Sequence, residues 1–230
     1  MGKVFNAVYD QFMSQRPYTK YARCYLQACE AKTTDRILEA GCGSGLFLMA
    51  LNRLGYNPEG LDFDEAMLEL AQKRVENKLY HGDIREFCSE EKWDVIFLPL
   101  DVLNYFSRSG MKKAFKNLAR NLNPHGVIVF DVHTKAHLKK VHGAQSRERL
   151  SDAQYIWRSR GRGEYIHYYI TCSKQGYHES YKLEQRVHSP REILRAAAYA
   201  GFRKKQRCRA WDLGRIDRRT TRQLFVLQKV

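Results

Sequence analysis

Residues 37–45 read Ile37-Leu38-Glu39-Ala40-Gly41-Cys42-Gly43-Ser44-Gly45, a short apolar run that breaks into glycines at every second position. Glycines at such a turn let the backbone pass close to a ligand. The helix expected over Ser44–Leu54, with Ser44 as its N-cap, offers free N–H groups beside it. A pyrophosphate is one ligand that binds there. The dinucleotide fingerprint, however, needs Gly or Ala at its sixth position, where this chain has Leu46, and acidic Glu39 precedes the glycines. A tight turn with no ligand is the competing reading.

Upstream, helices are expected over 3–14 and 17–30, separated by Arg16-Pro17, with Phe5, Tyr9 and Phe12 on one face. Downstream, strands and helices alternate. After the apolar run Arg36–Ala40 come a strand over Glu59–Asp62, a helix from Asp64 to Asn77 and a strand near Leu79–Gly82. Asp94–Leu98 is almost continuously apolar, as a parallel strand buried on both faces should be. A helix over Met111–Leu122 closes at Asn123-Pro124-His125-Gly126, and Val127–Val132 is another buried strand. Beyond residue 145 the texture changes: Gln154–Arg160, Tyr165–Ser173 and Tyr181–His188 read as antiparallel strands with glycine turns between them. A helix over Pro190–Ala200 and strands over Phe202–Arg209 and Gln223–Lys229 complete the pattern. The expectation is an α/β fold: a doubly wound, Rossmann-like, seven-stranded, mostly parallel sheet with N-terminal helices and an inserted antiparallel β lid.

The 230 residues carry 40 Lys and Arg against 25 Asp and Glu, a formal charge of +15. Residues 1–134 hold 17 basic and 17 acidic side chains, so the whole excess lies in residues 135–230, with 23 basic and 8 acidic. A positive half joined to a neutral half suggests an acidic substrate or partner; a solvated basic surface that aids solubility fits equally. With 43% hydrophobic and 28% charged residues, a disordered or fibrous chain is excluded. No apolar run of about 18 residues occurs, so no membrane helix is expected, and the start Met1-Gly2-Lys3-Val4-Phe5-Asn6 lacks the apolar stretch of a secretory signal. The cysteines at 24, 29, 42, 88, 172 and 208 have no metal-ligand spacing and read as reduced thiols of a cytoplasmic protein, with no metal expected.

Two further acids bear on the glycine stretch. Asp62 ends the second strand about twenty residues on, where a carboxylate accepts from two ribose hydroxyls. The next helix already has Asp64 as a cap. Asp83 follows Gly82 at the end of the third strand, placed to accept from an exocyclic amine, with the Ile84 N–H beside it. Met67 is a candidate to pack on a base, or is simply core.

With these in place the chain resembles the class I S-adenosylmethionine-dependent methyltransferases, through EAGCGSG, GLDFDEAML, HGDIREF, WDVIFLPLDVLNYF and LNPHGVIVFDVHT over residues 35–132. VYDQFM, DVLNYF, FDVHT and YKLEQRVHSPREI further resemble a bacterial subgroup similar to amino-sugar N,N-dimethyltransferases and glycine N-methyltransferases. Residues 142–165 and 210–222 match nothing nameable. The resemblance implies S-adenosylmethionine as cofactor and S-adenosylhomocysteine as product. It implies one methyltransferase domain over 1–230: helices in 1–34, a cofactor-binding core in 35–134, the lid in 145–188 and the completed sheet in 189–230. Glu39, Gly41 and Gly43 would line the methionine and ribose, Asp62 would hold the ribose with Phe63 beside it, and Asp83, Ile84 and Met67 would meet the adenine. Leu98 would offer a backbone contact near the methionyl amine. Tyr9 resembles a tyrosine that closes over the cofactor's carboxylate, with Tyr18 as the competing candidate.

Methyl transfer from a sulfonium needs in-line positioning and exclusion of water more than acid–base help, although an ammonium acceptor must lose a proton. Ligands of open α/β sheets bind at the carboxyl ends of the strands, here Asp101, Asn104, Tyr105, Asp131 and His133. His133 is the candidate base or substrate ligand, Asn104 and Tyr105 shape the pocket, and Asp131 caps. Leu98-Pro99-Leu100-Asp101 stands where the resemblance would place an Asn-Pro-Pro-Tyr or Asp-Pro-Pro-Tyr tetrapeptide, which argues against planar-nitrogen methylation. In the lid, Trp157, Tyr165, Tyr168, Tyr169, Tyr177 and Tyr181 stand among Arg158, Arg160, Arg162 and Arg186. Such a mixture stacks on bases and binds phosphates, or reflects strand propensity and solubility. The leading expectation is methylation of an amine on a small molecule carrying carboxylate or phosphate, by a monomer or homodimer. An RNA methyltransferase and a non-catalytic cofactor-binding partner protein are the alternatives.

Overall fold

The computed structural model describes residues 3–149, 153–174 and 176–230. Residues 1–2 of the expected N-terminal segment, residues 150–152 and 175 of the expected lid, and the side chains of Lys3, Val4 and Tyr177 lie outside the described set. The chain begins with α1 (Lys3–Met13) and α2 (Tyr18–Cys29), then alternates through β1 (Ile37–Ala40), α3 (Leu46–Asn52), β2 (Glu59–Asp62), α4 (Glu65–Gln72) and β3 (Leu79–His81). It continues through β4 (Trp93–Leu98), a 3-10 turn over Val102–Tyr105, α5 (Arg108–Asn121), β5 (Leu122–His133) and α6 (Lys135–Val141). A second sheet follows as β6 (Gln145–Arg149), β7 (Ala153–Arg162), β8 (Tyr165–Lys174) and β9 (Tyr177–Arg186). α7 (Pro190–Tyr199), β10 (Phe202–Arg209) and β11 (Arg222–Lys229) end the chain.

The main sheet has seven strands in the order β10-β11-β5-β4-β1-β2-β3. β1 pairs in parallel with β2 on one side and β4 on the other, so its carboxyl end is the switch point where ligands of such sheets bind. Its four residues are all buried, because helices cover both faces. α5 and α7 pack on one face around Phe115, Phe130 and Phe202; α2 and α3 pack on the other around Tyr25, Phe47 and Phe97. Local chemistry agrees with the elements. Asp64 caps α4, Ser107 caps α5, and Ser189 forms a capping box with Glu192 ahead of Pro190.

One expected cap is corrected. α3 starts at Leu46 rather than Ser44, because Gly41, Gly43 and Gly45 take φ of 85°, 52° and 77° and keep the chain in left-handed turns until Gly45. The Ser44 hydroxyl instead donates to Asp10 of α1, and Arg74 holds both Asp10, at 2.8 Å, and the Ser44 carbonyl. α1 is thereby tied down across the glycine turn.

β11 runs antiparallel to β5, opposing Arg222 to His133. A strand appended late in the chain therefore begins at the same edge where the parallel strands end. The lid sheet, in the order β6-β7-β8-β9, covers that edge. Its inner side packs against α1, with Phe5 and Val8 in one cluster with Tyr155, Ile166 and Ile170. Phe12 stacks on Tyr155 at 5.0 Å.

Candidate active site

Two compartments meet under α1. The first is the cleft at the end of β1. Glu39 is 2% exposed and its Oε2 has no partner among the described residues. Burial, reinforced by Asp62, pushes its carboxyl well above the usual range. Asp62, at the end of β2, accepts from the Gly43 N–H at 2.7 Å and the Asp64 N–H at 2.9 Å, so each oxygen keeps a lone pair for a further donor. Burial nonetheless raises its carboxyl. A side chain at Gly41 would strike Val102, with its Cβ 2.8 Å from Cγ2, whereas a Cβ at Gly43 would meet nothing within 4 Å. Asp62 connects these features: it accepts from the N–H of Gly43, beside the open space, and its charge adds to the raising of the Glu39 carboxyl.

The remaining cofactor candidates surround it unevenly. Met67 is buried and Phe63 is 69% exposed. Asp83 is held by Arg85, whose Nε lies 2.9 and 3.0 Å from its two oxygens and keeps the carboxyl below its usual range. Ile84 is buried, and its carbonyl accepts from Asn117 at 3.0 Å. The Leu98 carbonyl lies 3.4 Å from the Tyr25 hydroxyl. Tyr9 stands between the compartments: burial raises its phenol, and both Asp101 and Asp62 are near enough to add to that. Tyr18 is raised by burial too, beside Tyr9 and Glu39.

The second compartment is a cavity of about 340 Å3 bounded by α1, the carboxyl ends of β4 and β5, the start of β11 and the inner side of the lid. Tyr9, Tyr105, His133, Trp157, Tyr168 and Trp211 form much of its wall. Its floor is a charged cluster. Asp131, fully buried, accepts from the Tyr25 hydroxyl, the Leu100 N–H at 2.7 Å, the Asp101 N–H at 3.2 Å and Arg222. Arg222 also donates to Asp101 Oδ1 at 2.6 Å, and Gln185 of the lid donates to the other Asp101 oxygen. Asp131 is thus an anchor with four donors, more than a cap.

His133 Nε2 lies 3.5 Å from Asp101 and 3.3 Å from Arg222, its ring stacks on His137 at 3.8 Å, and its Nδ1 has no partner among the described residues. Burial, then Arg222, holds its pKa well below the ordinary histidine value, so the ring is neutral near pH 7. Asn104 is wholly buried and does not line the cavity. It donates to the Arg186 carbonyl at 2.7 Å and accepts from the His133 N–H at 3.0 Å, fastening β9 of the lid to the end of β5. Tyr105 is half exposed yet lines the cavity.

Tyr25, Gln185, Trp211 and Arg222 were not among the sequence candidates. The available signal was two acids, Asp101 and Asp131, ending adjacent buried strands; such a pair demands a cation. An antiparallel last strand starting one residue earlier than expected supplies it in Arg222.

A family model described as a methyltransferase domain matches residues 37–126, the segment that carries the glycine turn, Asp62, Asp83 and Asp101. Over these residues the chain is similar to methyltransferase domains. Among curated relatives, YqeM of Bacillus subtilis (strain 168), which bears a methyltransferase name, is 30% identical over 162 residues, 67% of this chain and 65% of that one. The chain thus matches a little under two thirds of that relative's length. The dTDP-4-amino-2,3,4,6-tetradeoxy-D-glucose N,N-dimethyltransferase of Saccharopolyspora spinosa is 33% identical over 97 residues, 41% of this chain and 39% of that one. An S-adenosylmethionine-dependent methyltransferase from Clostridium acetobutylicum superposes with a TM-score of 0.84 at 19% identity, covering 98% of this chain and 97% of that one. At that identity the likeness is one of fold, and it extends over the lid as well as the methyltransferase domain.

Proposed function

We propose that this chain transfers a methyl group from S-adenosylmethionine to an amine nitrogen of a small molecule carrying a carboxylate or phosphate. The observation that carries this reading is the partly covered cavity beside the glycine turn. Its 340 Å3 suits a small acceptor, and lid and helix cover it on the sides away from the sheet. The cleft fits the cofactor on its own terms: Glu39 and Asp62 offer buried acceptors, and Gly43 leaves open the space that a Cβ would take. We assign Glu39, Gly41, Gly43, Asp62 and Phe63 to the methionine and ribose side, and Met67, Asp83 and Ile84 to the adenine. For Asp83 to receive the amine it must share its carboxylate with Arg85. Leu98, Tyr9 and Tyr18 close the methionyl end. When bound, the cofactor supplies a methyl group activated by a positive sulfur.

The chain's own residues do the rest. The lid and α1 exclude water, and the aromatic walls hold the acceptor in line. His133, neutral and with Nδ1 unpartnered among the described residues, is placed as a substrate ligand that exchanges a hydrogen bond with the acceptor amine. Asn104 acts as a positioning residue by fixing the His133 backbone to the lid. Arg16 supports the anionic part of the reading: it borders the cavity over the Phe12 ring at 4.8 Å and has no acidic partner among the described residues. The amino-sugar relative, named as an N,N-dimethyltransferase, agrees with an amine acceptor.

Calorimetric titration with S-adenosylhomocysteine tests the cofactor half. Asp62→Ala should lose at least about 100-fold in affinity, two hydrogen bonds to a charged acceptor being worth about 1.5–3 kcal/mol each. Unchanged affinity would overturn the assignment. Labelled-methyl transfer onto primary amines with and without a carboxylate or phosphate tests the other half, and activity confined to hydroxyl or carboxyl acceptors would refute it.

A further inference from the structure

The two faces of the lid carry different chemistry, and the register sorts them. β7 and β8 pair without a shift from Ala153↔Lys174 to Arg162↔Tyr165. Side chains alternate along a strand, so every second residue points away from the cavity. The cavity-lining lid residues, Ser146, Trp157, Tyr168 and Gln185, all fall on one parity. The opposite parity carries Arg158, Arg160 and Arg162 on β7, each directly across from a ring on β8: Tyr169, His167 and Tyr165. Arg147 and Arg149 on β6 and Lys182 on β9 extend the same face, and Arg158, Arg160, Arg162, Tyr165, Tyr169 and Lys182 are all exposed.

No ion pair is formed by those five arginines among the described residues; Arg158 makes only a hydrogen bond to Gln145 at 3.2 Å. Among the described residues two acids lie at the edge of this face: Glu184 on β9, 3.0 Å from His167, and Glu164 in the β7–β8 turn, which is held by Arg186 and Arg108. A sheet face that only needed solubility would set opposite charges across from one another, since like charges at i and i+2 on adjacent strands repel. Here an unneutralised ladder of guanidinium groups is interleaved with flat rings. We propose that this outer face of the lid is a docking surface for single-stranded RNA, the arginines meeting successive phosphates and Tyr165 and Tyr169 stacking on bases. The face lies on the far side of the lid from the cavity, so it anchors the protein to RNA rather than presenting RNA for methylation. It stands independently of the methyl-transfer reading.

The test is fluorescence anisotropy with a labelled 12-nucleotide oligouridylate, titrated with the full chain at several salt concentrations. Wild type should bind, with affinity falling steeply as salt rises. The triple substitution Arg158→Gln, Arg160→Gln, Arg162→Gln should flatten the log–log salt slope by about 2, three lost phosphate contacts at about 0.7 each. Tyr169→Ala should weaken binding about five-fold or more at fixed salt without changing the slope. Thermal melting of each variant controls for folding, and all four positions are exposed. No binding by wild type at about 50 mM salt would overturn the proposal, as would a triple variant with an unchanged slope. Equal binding to heparin with no effect of Tyr169→Ala would refute base stacking. Binding to phosphatidylserine vesicles, or self-association lost in the triple variant, without RNA binding would assign the face elsewhere and likewise overturn it.

Discussion

Arg222→Met isolates the charged floor of the cavity. The guanidinium is shared by two carboxylates: it donates to Asp131, which is fully buried, and to Asp101, which is 9% exposed. Methionine keeps most of the volume and removes the cation, leaving two acids facing each other with water excluded. Breaking a buried pair in this way costs about 3–5 kcal/mol. Asp131 retains the Tyr25 hydroxyl and the Leu100 and Asp101 N–H groups, which places the cost at the lower end, roughly 3 kcal/mol. For a chain of this size that corresponds to a fall in Tm of about 6–12 °C. The sign with pH follows from the carboxylates. Burial already raises Asp101 above its ordinary value, with Arg222 opposing that shift. Without the cation the folded-state pKa rises further, and a group raised above its unfolded value loses stability as pH rises through the folded pKa. The deficit against wild type should therefore be largest near pH 7.5 and shrink toward pH 5, as measured by urea unfolding at both. Adding Asp101→Asn should restore part of the loss. A Tm within about 2 °C of wild type at pH 7.5, or a deficit that does not change with pH, would refute the description of this cluster as two acids sharing one buried cation.

Other expectations concern the cleft, the histidines and the cavity wall. Gly43→Ala should cost only the left-handed backbone strain of about 1–2 kcal/mol, seen as a small fall in Tm, yet weaken S-adenosylhomocysteine at least about ten-fold because its methyl enters open cleft. Parallel small losses of both would show that the cofactor passes elsewhere. Burial depresses His133 well below its ordinary value and His137 to about 4. Groups so depressed bind protons mainly when unfolded. Stability should be intact above about pH 6.5 and fall below it, by up to about 1.4 kcal/mol per pH unit for each histidine. A double His133→Gln, His137→Gln variant with an undiminished acid slope would contradict this. Arg16→Ala should raise KM for carboxylate- or phosphate-bearing amines about ten-fold with little change in kcat, and leave neutral amines unaffected. Equal effects on both would remove Arg16 from acceptor recognition.

The geometry of the glycine turn and its neighbouring acids was legible in the sequence because it is built from local signals. Glycines that need positive φ, an acid at the end of each of two strands, and Asp64 as a cap all declare themselves within a few residues. The floor of the cavity was not, because it is assembled across the chain. Arg222 meets Asp131 through an antiparallel pairing 91 residues apart in sequence, and Tyr25 reaches the same carboxylate from α2 across 106. Nothing near Arg222 marks it: Thr220-Thr221-Arg222 reads as the polar entrance to a strand. Asn104 shows the opposite case. Its place after β4 suggested a pocket residue, but both ends of its amide are taken by backbone, and that is visible only once β9 and β5 are seen to meet there.

The excess of positive charge also takes on a different meaning once register is considered. Composition alone put the +15 in the half of the chain that holds the lid, as though it served the acceptor. Among the described residues only Arg16 and the fully paired Arg222 border the cavity as cations, and Arg16 belongs to the neutral half. The lid's arginines are on the other face. Because a strand alternates sides at every residue, one inserted sheet can close an aromatic pocket and present a cationic surface with the same four strands. That division requires an unbroken register, since a slip of one residue would exchange the faces and drive Arg158 and Arg160 inward in place of Trp157 and Ser159. The paired run from Ala153 to Arg162, and its continuation from β8 to β9, contains no bulge. The regularity of these strands is what allows the cavity wall and the outer surface to be altered separately.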